Sequence, residues 1–139
     1  MSRRKEIKLQ HAIHNRELCL AIDKMEKYPD WVVTVAFYSV LHFVDYKIFP
    51  LQMKDNNDTA INNIMQYADY QEKRNGIRKS NHKHRENLVR KNLPDISEYF
   101  NSLLRFSSSA RYYNYQVDDK TKQFSIQILK KIEKICSKK

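Results

Sequence analysis

Histidine, arginine and tyrosine carry the chemistry this chain can do. His82 and Arg85 stand three apart in His82-Lys83-His84-Arg85, and on a helix that spacing puts both on one face. An imidazole can take the proton from a 2′-hydroxyl or return one to a leaving oxygen. A guanidinium can offset the charge that builds on the phosphoryl oxygens. Together they can cleave RNA without a metal. The plainer alternative is an exposed basic start to a helix. His42 is a second acid/base candidate, set against the alternative of a hydrogen-bonded core histidine. Arg111-Tyr112-Tyr113-Asn114-Tyr115 interleaves a cation with three rings, a combination that contacts phosphates and stacks bases. Ser107-Ser108-Ser109, just before it, are small enough to admit another helix or a ligand.

Other chemistries lack their parts. A single glycine cannot build a glycine-rich phosphate loop. No HExxH, no acidic cluster and no serine-hydrolase elbow occurs, so no metal and no cofactor is expected. Lys and Arg number 26 against 16 Asp and Glu, giving a net charge of +10 and a pI near 9.6. That balance points to a polyanion, RNA above all, with a solvated lysine-rich surface as the alternative. Cys19 and Cys136 make neither a disulfide framework nor a zinc pattern. No apolar run reaches the length of a membrane span, and Met1-Ser2-Arg3-Arg4-Lys5 is followed by no secretory apolar stretch. A reduced, cytoplasmic setting without membrane contact is expected.

The elements that must position these residues are helical. The chain's 139 residues suit one domain, and one glycine with three prolines is too little punctuation for a sheet-rich fold. Residues 4–28 read as a first helix with His14, Leu18, Ala21, Ile22 and Met25 on its apolar face. Asp30 is the expected cap of a second, 31–49, which is the least polar stretch of the chain. Within it Thr34, Tyr38, His42 and Asp45 form one polar stripe. A buried helix with a polar stripe needs partners for it, and a two-fold homodimer is expected to supply them. Residues 51–58 read as a polar loop and 59–73 as a short helix, with Ile61, Ile64, Met65 and Ala68 on one side and Gly76 as a left-handed end. Ser80 or Asn81 caps a helix to about Arg90. Asp95, with Glu98, starts a long helix. Asp118 caps a last one that buries Phe124, Ile128, Leu129, Ile132 and Ile135. The expected fold is all-α, an up-and-down bundle of four to five helices.

Three segments, in order, resemble a small prokaryotic group of HEPN-like domains. Asp30-Trp31-Val32-Val33-Thr34 through Phe37-Tyr38-Ser39-Val40-Leu41-His42 is similar to its "DWAVTxxFYAALH" helix. Ser80-Asn81-His82-Lys83-His84-Arg85 is similar to its "SHxxR" helix start, with one residue inserted. Ser107-Ser108-Ser109-Ala110-Arg111-Tyr112 is similar to its "SxxARY" segment. The resemblance covers about residues 11 to 135 outside 51–79. It implies a helical bundle of the kind found in toxin–antitoxin and phage-defence systems. Many HEPN domains are metal-independent endoribonucleases in which two protomers form one cleft. Their Arg-x(4–6)-His signature is matched in spacing by Arg78 and His84, while His82-x-x-Arg85 matches the smaller group. On the enzyme reading His82 and His42 are acid/base candidates, and Arg85 and Arg111 hold the phosphate. Tyr38 and Tyr112 orient it, and Arg78 and His84 add nucleic-acid contacts. Non-catalytic HEPN domains also exist. The second reading is therefore an RNA-binding or protein-interaction helical dimer, partnered with an antitoxin or a nucleotidyltransferase.

Overall fold

The computed structural model describes residues 2–53 and 60–138. Among them lie six α-helices, one 3₁₀ turn and a two-stranded ribbon. The chain is all-α in class, with six α-helices among the described residues where four to five were expected. No helix among the described residues is long and apolar enough to cross a membrane.

Helix α1, Arg3–Met25, starts where the Ser2 hydroxyl accepts from the Lys5 amide and ends at a left-handed Glu26. Helix α2, Pro29–Ile48, begins on its proline, whose fixed φ and missing N–H suit a first helical position. Asp30 therefore lies inside the first turn and is not the cap. Strands β1 (Leu51–Gln52) and β2 (Ala60–Ile61) pair antiparallel, Leu51 opposite Ile61. Ile61 is thus a strand residue, and of the expected 51–58 loop residues 54–58 lie outside the described residues. Helix α3, Ile64–Asn75, is capped by Asn63 and ends at Gly76 with φ +76°, the left-handed end its glycine suggests. Helix α4, Asn81–Asn92, is capped by the Ser80 hydroxyl. Pro94–Ile96 is a 3₁₀ turn leading into α5, Ser97–Tyr112. Pro94 has already turned the chain before Asp95, so Asp95 does not cap α5. Asp118 caps α6, Asp119–Cys136, by accepting from the Thr121 amide at 2.7 Å.

Helix α2 is the centre, packed by α1, α5 and α6. Phe37, Phe43 and Val40 on it meet Phe100 and Leu103 of α5 and Leu129 and Ile132 of α6 in one core. The expected face of α1 is wrong: Leu18 and Met25 are exposed, and Ala12 and Cys19 are the buried positions. Small side chains let the two backbones approach. The Ser39 hydroxyl donates to the Ala12 carbonyl at 2.7 Å, and the Cys19 thiol to the Val32 carbonyl at 3.4 Å. Ion pairs from Arg16 to Glu133 and from Lys122 to Asp23 fasten α1 to α6. Phe124, expected in the core, packs edge-on against Phe106 near the surface.

Candidate functional site

The polar stripe of α2 meets partners from its own chain. Arg85 reaches down from the second turn of α4 and grips Asp45 with two parallel bonds, Nε to Oδ1 at 3.0 Å and Nη2 to Oδ2 at 2.9 Å. Their side chains are 12% and 9% exposed. This fork-to-fork geometry is the strongest arrangement open to an arginine and a carboxylate. Four residues up the helix from His42, the Tyr38 hydroxyl accepts from Arg111 Nη1 at 3.0 Å. Arg111 also lies over the rings of Tyr38 and Tyr112, 5.6 and 5.0 Å from their centroids. From α1, His11 stacks on His42 with centroids 3.7 Å apart.

His82 stands one turn before Arg85, at the first turn of α4. Its ring leans on Phe37 of α2 at 5.5 Å. Its Nδ1 is buried and has no hydrogen-bond partner among the described residues. Burial pushes the His42 imidazole down to about 4, with His11 adding to the effect, Asp45 opposing it, and Arg85 and Lys8 adding again. Burial, then Arg85 and Arg111, also lower His82, against Glu86. Both rings are neutral at pH 7 for the same reason: the charged form loses water and faces cations. Arg85 is the common neighbour, since its charge acts on both imidazoles.

His42, His82, Arg85, Tyr38 and Arg111 thus belong to one strip across α2, α4 and the end of α5. Tyr112 joins it through Arg111, with its own ring 71% exposed. Arg78 and His84 sit elsewhere. Arg78 is paired with Asp69 and Glu72 of α3. His84, two residues from His82 and so on the other side of α4, faces Tyr67 edge-on at 5.5 Å.

Two contributors escape a reading by motif. His11 belongs to the least amphipathic-looking helix, and only its one-turn spacing from Lys8 hints at a shared polar face. Trp31 opens the buried helix yet is 53% exposed. It lines a hollow of about 200 Å³ with Asp30, Arg111 and Tyr115, and Tyr115 and Tyr28 line the next hollow along. The strip therefore continues, through Arg111, into a shelf of exposed rings.

Compared with known proteins, the chain matches no family model, no curated protein and no solved structure.

Proposed function

We propose that this chain is an HEPN-type, RNA-directed protein whose α2–α4–α5 strip is a metal-independent endoribonuclease site of a toxin–antitoxin or phage-defence system. One observation carries the reading: two neutral imidazoles, His42 and His82, share the guanidinium of Arg85 as neighbour, on a chain of net charge +10. A neutral imidazole accepts the 2′-hydroxyl proton while the 2′-oxygen attacks phosphorus. The departing 5′-oxygen takes its proton from water or from the imidazolium formed in that step, because both imidazoles start neutral. The product is a 2′,3′-cyclic phosphate. Arg111 offsets charge on the phosphoryl oxygens, with Tyr38 fixing its orientation. Trp31, Tyr115 and Tyr28 offer faces to unpaired bases.

A second reading has its own observation. Arg85 is committed to Asp45 through two of its three nitrogens, which suits a structural clamp better than a phosphate ligand. On that reading the strip is a non-catalytic module that binds RNA or a protein partner, an antitoxin or a nucleotidyltransferase. Dimer formation rests on the family resemblance alone, because the stripe on α2 is already met by His11, Arg85 and Arg111.

The test is RNA cleavage by pure protein in EDTA, wild type beside His82→Ala, with binding read separately. Trp31 is the only tryptophan, so its fluorescence reports a base stacked on the shelf. On the first reading wild type leaves 2′,3′-cyclic ends and spares DNA. His82→Ala then loses about 10²- to 10⁴-fold in rate while Trp31 quenching persists. Uncut RNA with Trp31 quenched transfers the protein to the second reading. Equal cutting by His82→Ala removes this strip as the catalytic site.

A further inference from the structure

The cleft between α3 and α4 is independent of that strip and has its own charge pattern. It is a hollow of about 290 Å³, close to the lower size of small-ligand pockets. Lys79, Arg90 and Lys91 line it, and no carboxylate does among the described residues. The acids of the adjoining α3, Asp69 and Glu72, are taken up by Arg78. Arg90 is steadied by donating to the Asn87 side chain at 3.2 Å.

The inner wall carries one buried polar atom without a partner among the described residues. His84 is only 4% exposed, and its Nε2 is buried without a hydrogen-bond partner among the described residues. A buried polar atom left in this state costs free energy, and the cost is relieved when a ligand supplies the partner. Burial, then Lys79 and Arg78, lower the His84 pKa and keep the ring neutral. Beside it the Tyr67 hydroxyl accepts from Gln71 at 3.0 Å, and Gln71 accepts in turn from Asn75 at 2.9 Å. That relay uses the hydroxyl as an acceptor and leaves its proton to donate. Three cations, an imidazole and a phenol around one hollow, with no competing carboxylate, make a receptor for a compact anion.

We propose that the α3–α4 cleft is a phosphoryl-binding site that takes a phosphate monoester. Lys79, Arg90 and Lys91 surround its oxygens, and His84 and Tyr67 donate to it from within. Such a group is carried by a small phosphorylated metabolite or by the 5′ end of an RNA.

The full ¹⁵N-labelled chain, titrated at fixed ionic strength while its histidine side-chain signals are followed, tests this. The probes are inorganic phosphate, AMP, adenosine, and one oligoribonucleotide with and without a 5′-phosphate. Phosphate and AMP are expected to shift the His84 signals saturably and to raise its titration midpoint, because a dianion favours the imidazolium. Adenosine should leave them alone. Arg90→Gln and Lys91→Gln lie on the exposed rim, where folding is not at stake, and each should weaken phosphate binding by about tenfold or more. A 5′-phosphorylated RNA that binds tighter than its 5′-hydroxyl twin identifies the RNA end as the source. Equal binding of the two RNAs beside tight AMP identifies the metabolite. Linear drift with every anion, equal effects of adenosine and AMP, rim variants that bind phosphate unchanged, or a response to RNA irrespective of its end with none to phosphate would each overturn the proposal.

Discussion

Arg85→Ala separates the two readings of the strip through stability rather than activity. The substitution removes both bonds to Asp45 and leaves a carboxylate on the most buried helix with a side chain 9% exposed. Removing one partner of a buried pair costs about 3–5 kcal/mol, because the stranded charge keeps its desolvation penalty. Lys8 is a further cation whose charge acts on Asp45, but its ammonium is held by the Asn62 carbonyl at 2.9 Å. Partial compensation by Lys8 argues for the lower end, about 3 kcal/mol. Unfolding entropy near 2.1 cal/mol/K per residue gives roughly 0.3 kcal/mol/K for 139 residues. The melting temperature should then fall by about 10 °C. The double variant Arg85→Met with Asp45→Leu removes both charges and should recover most of that loss. Far-ultraviolet circular dichroism during heating reads both. If Arg85→Ala melts within about 2 °C of wild type, the clamp does not hold the bundle together, and Arg85 is free to act on a phosphate.

Acid should weaken the fold through His42. Its pKa is pushed from the ordinary 6.5 to about 4, so between those values the unfolded chain binds more protons than the folded one. Stability is therefore level above about pH 6.5 and declines towards about pH 4, with His82 and His84 shifted in the same direction. Urea midpoints at about pH 7 and about pH 5 check this, and equal midpoints would contradict it. The thiols should be silent in the native state. Cys19 and Cys136 are wholly buried, and burial pushes both up to about 12, so an aromatic disulfide reagent at neutral pH should react with neither until urea is added. Rapid reaction of one thiol in native protein would show that α1 or α6 opens readily.

Local signals in the chain were readable, and long-range ones were not. Ser80, Asp118 and Gly76 act at the positions their types suggest, because a cap is decided within a few residues. The buried face of α1 does not follow its large apolar residues, because Ala12 and Cys19 are buried for being small while Leu18 and Met25 are exposed. Asp95 and Asp30 lost their expected capping roles to prolines, each of which started its turn earlier. Trp31 and Phe124 came to the surface because they face away from the core, while their neighbours Val32, Val33, Ser125 and Ile126 turn into it.

The strip follows the same division. That Thr34, Tyr38, His42 and Asp45 form a stripe follows from helical periodicity, and that a buried stripe needs partners follows from the cost of burying polar groups. Which partners it has depends on contacts across 40 residues for Asp45 with Arg85 and 73 for Tyr38 with Arg111. Periodicity carries no information about those. The outcome changes what the stripe implies. Had it been bare, a second copy of the chain would have been needed to cover it. Because α1, α4 and α5 supply His11, Arg85 and Arg111, the contacts that close the bundle are the ones that hold two imidazoles neutral. Fold and chemistry are therefore coupled at Asp45. It binds the guanidinium whose charge lowers both imidazoles while its own carboxylate raises His42, and it leaves Arg111, held by a phenol, a backbone carbonyl and the rings of Tyr38 and Tyr112, as the cation not committed to a carboxylate and so able to turn towards a phosphate.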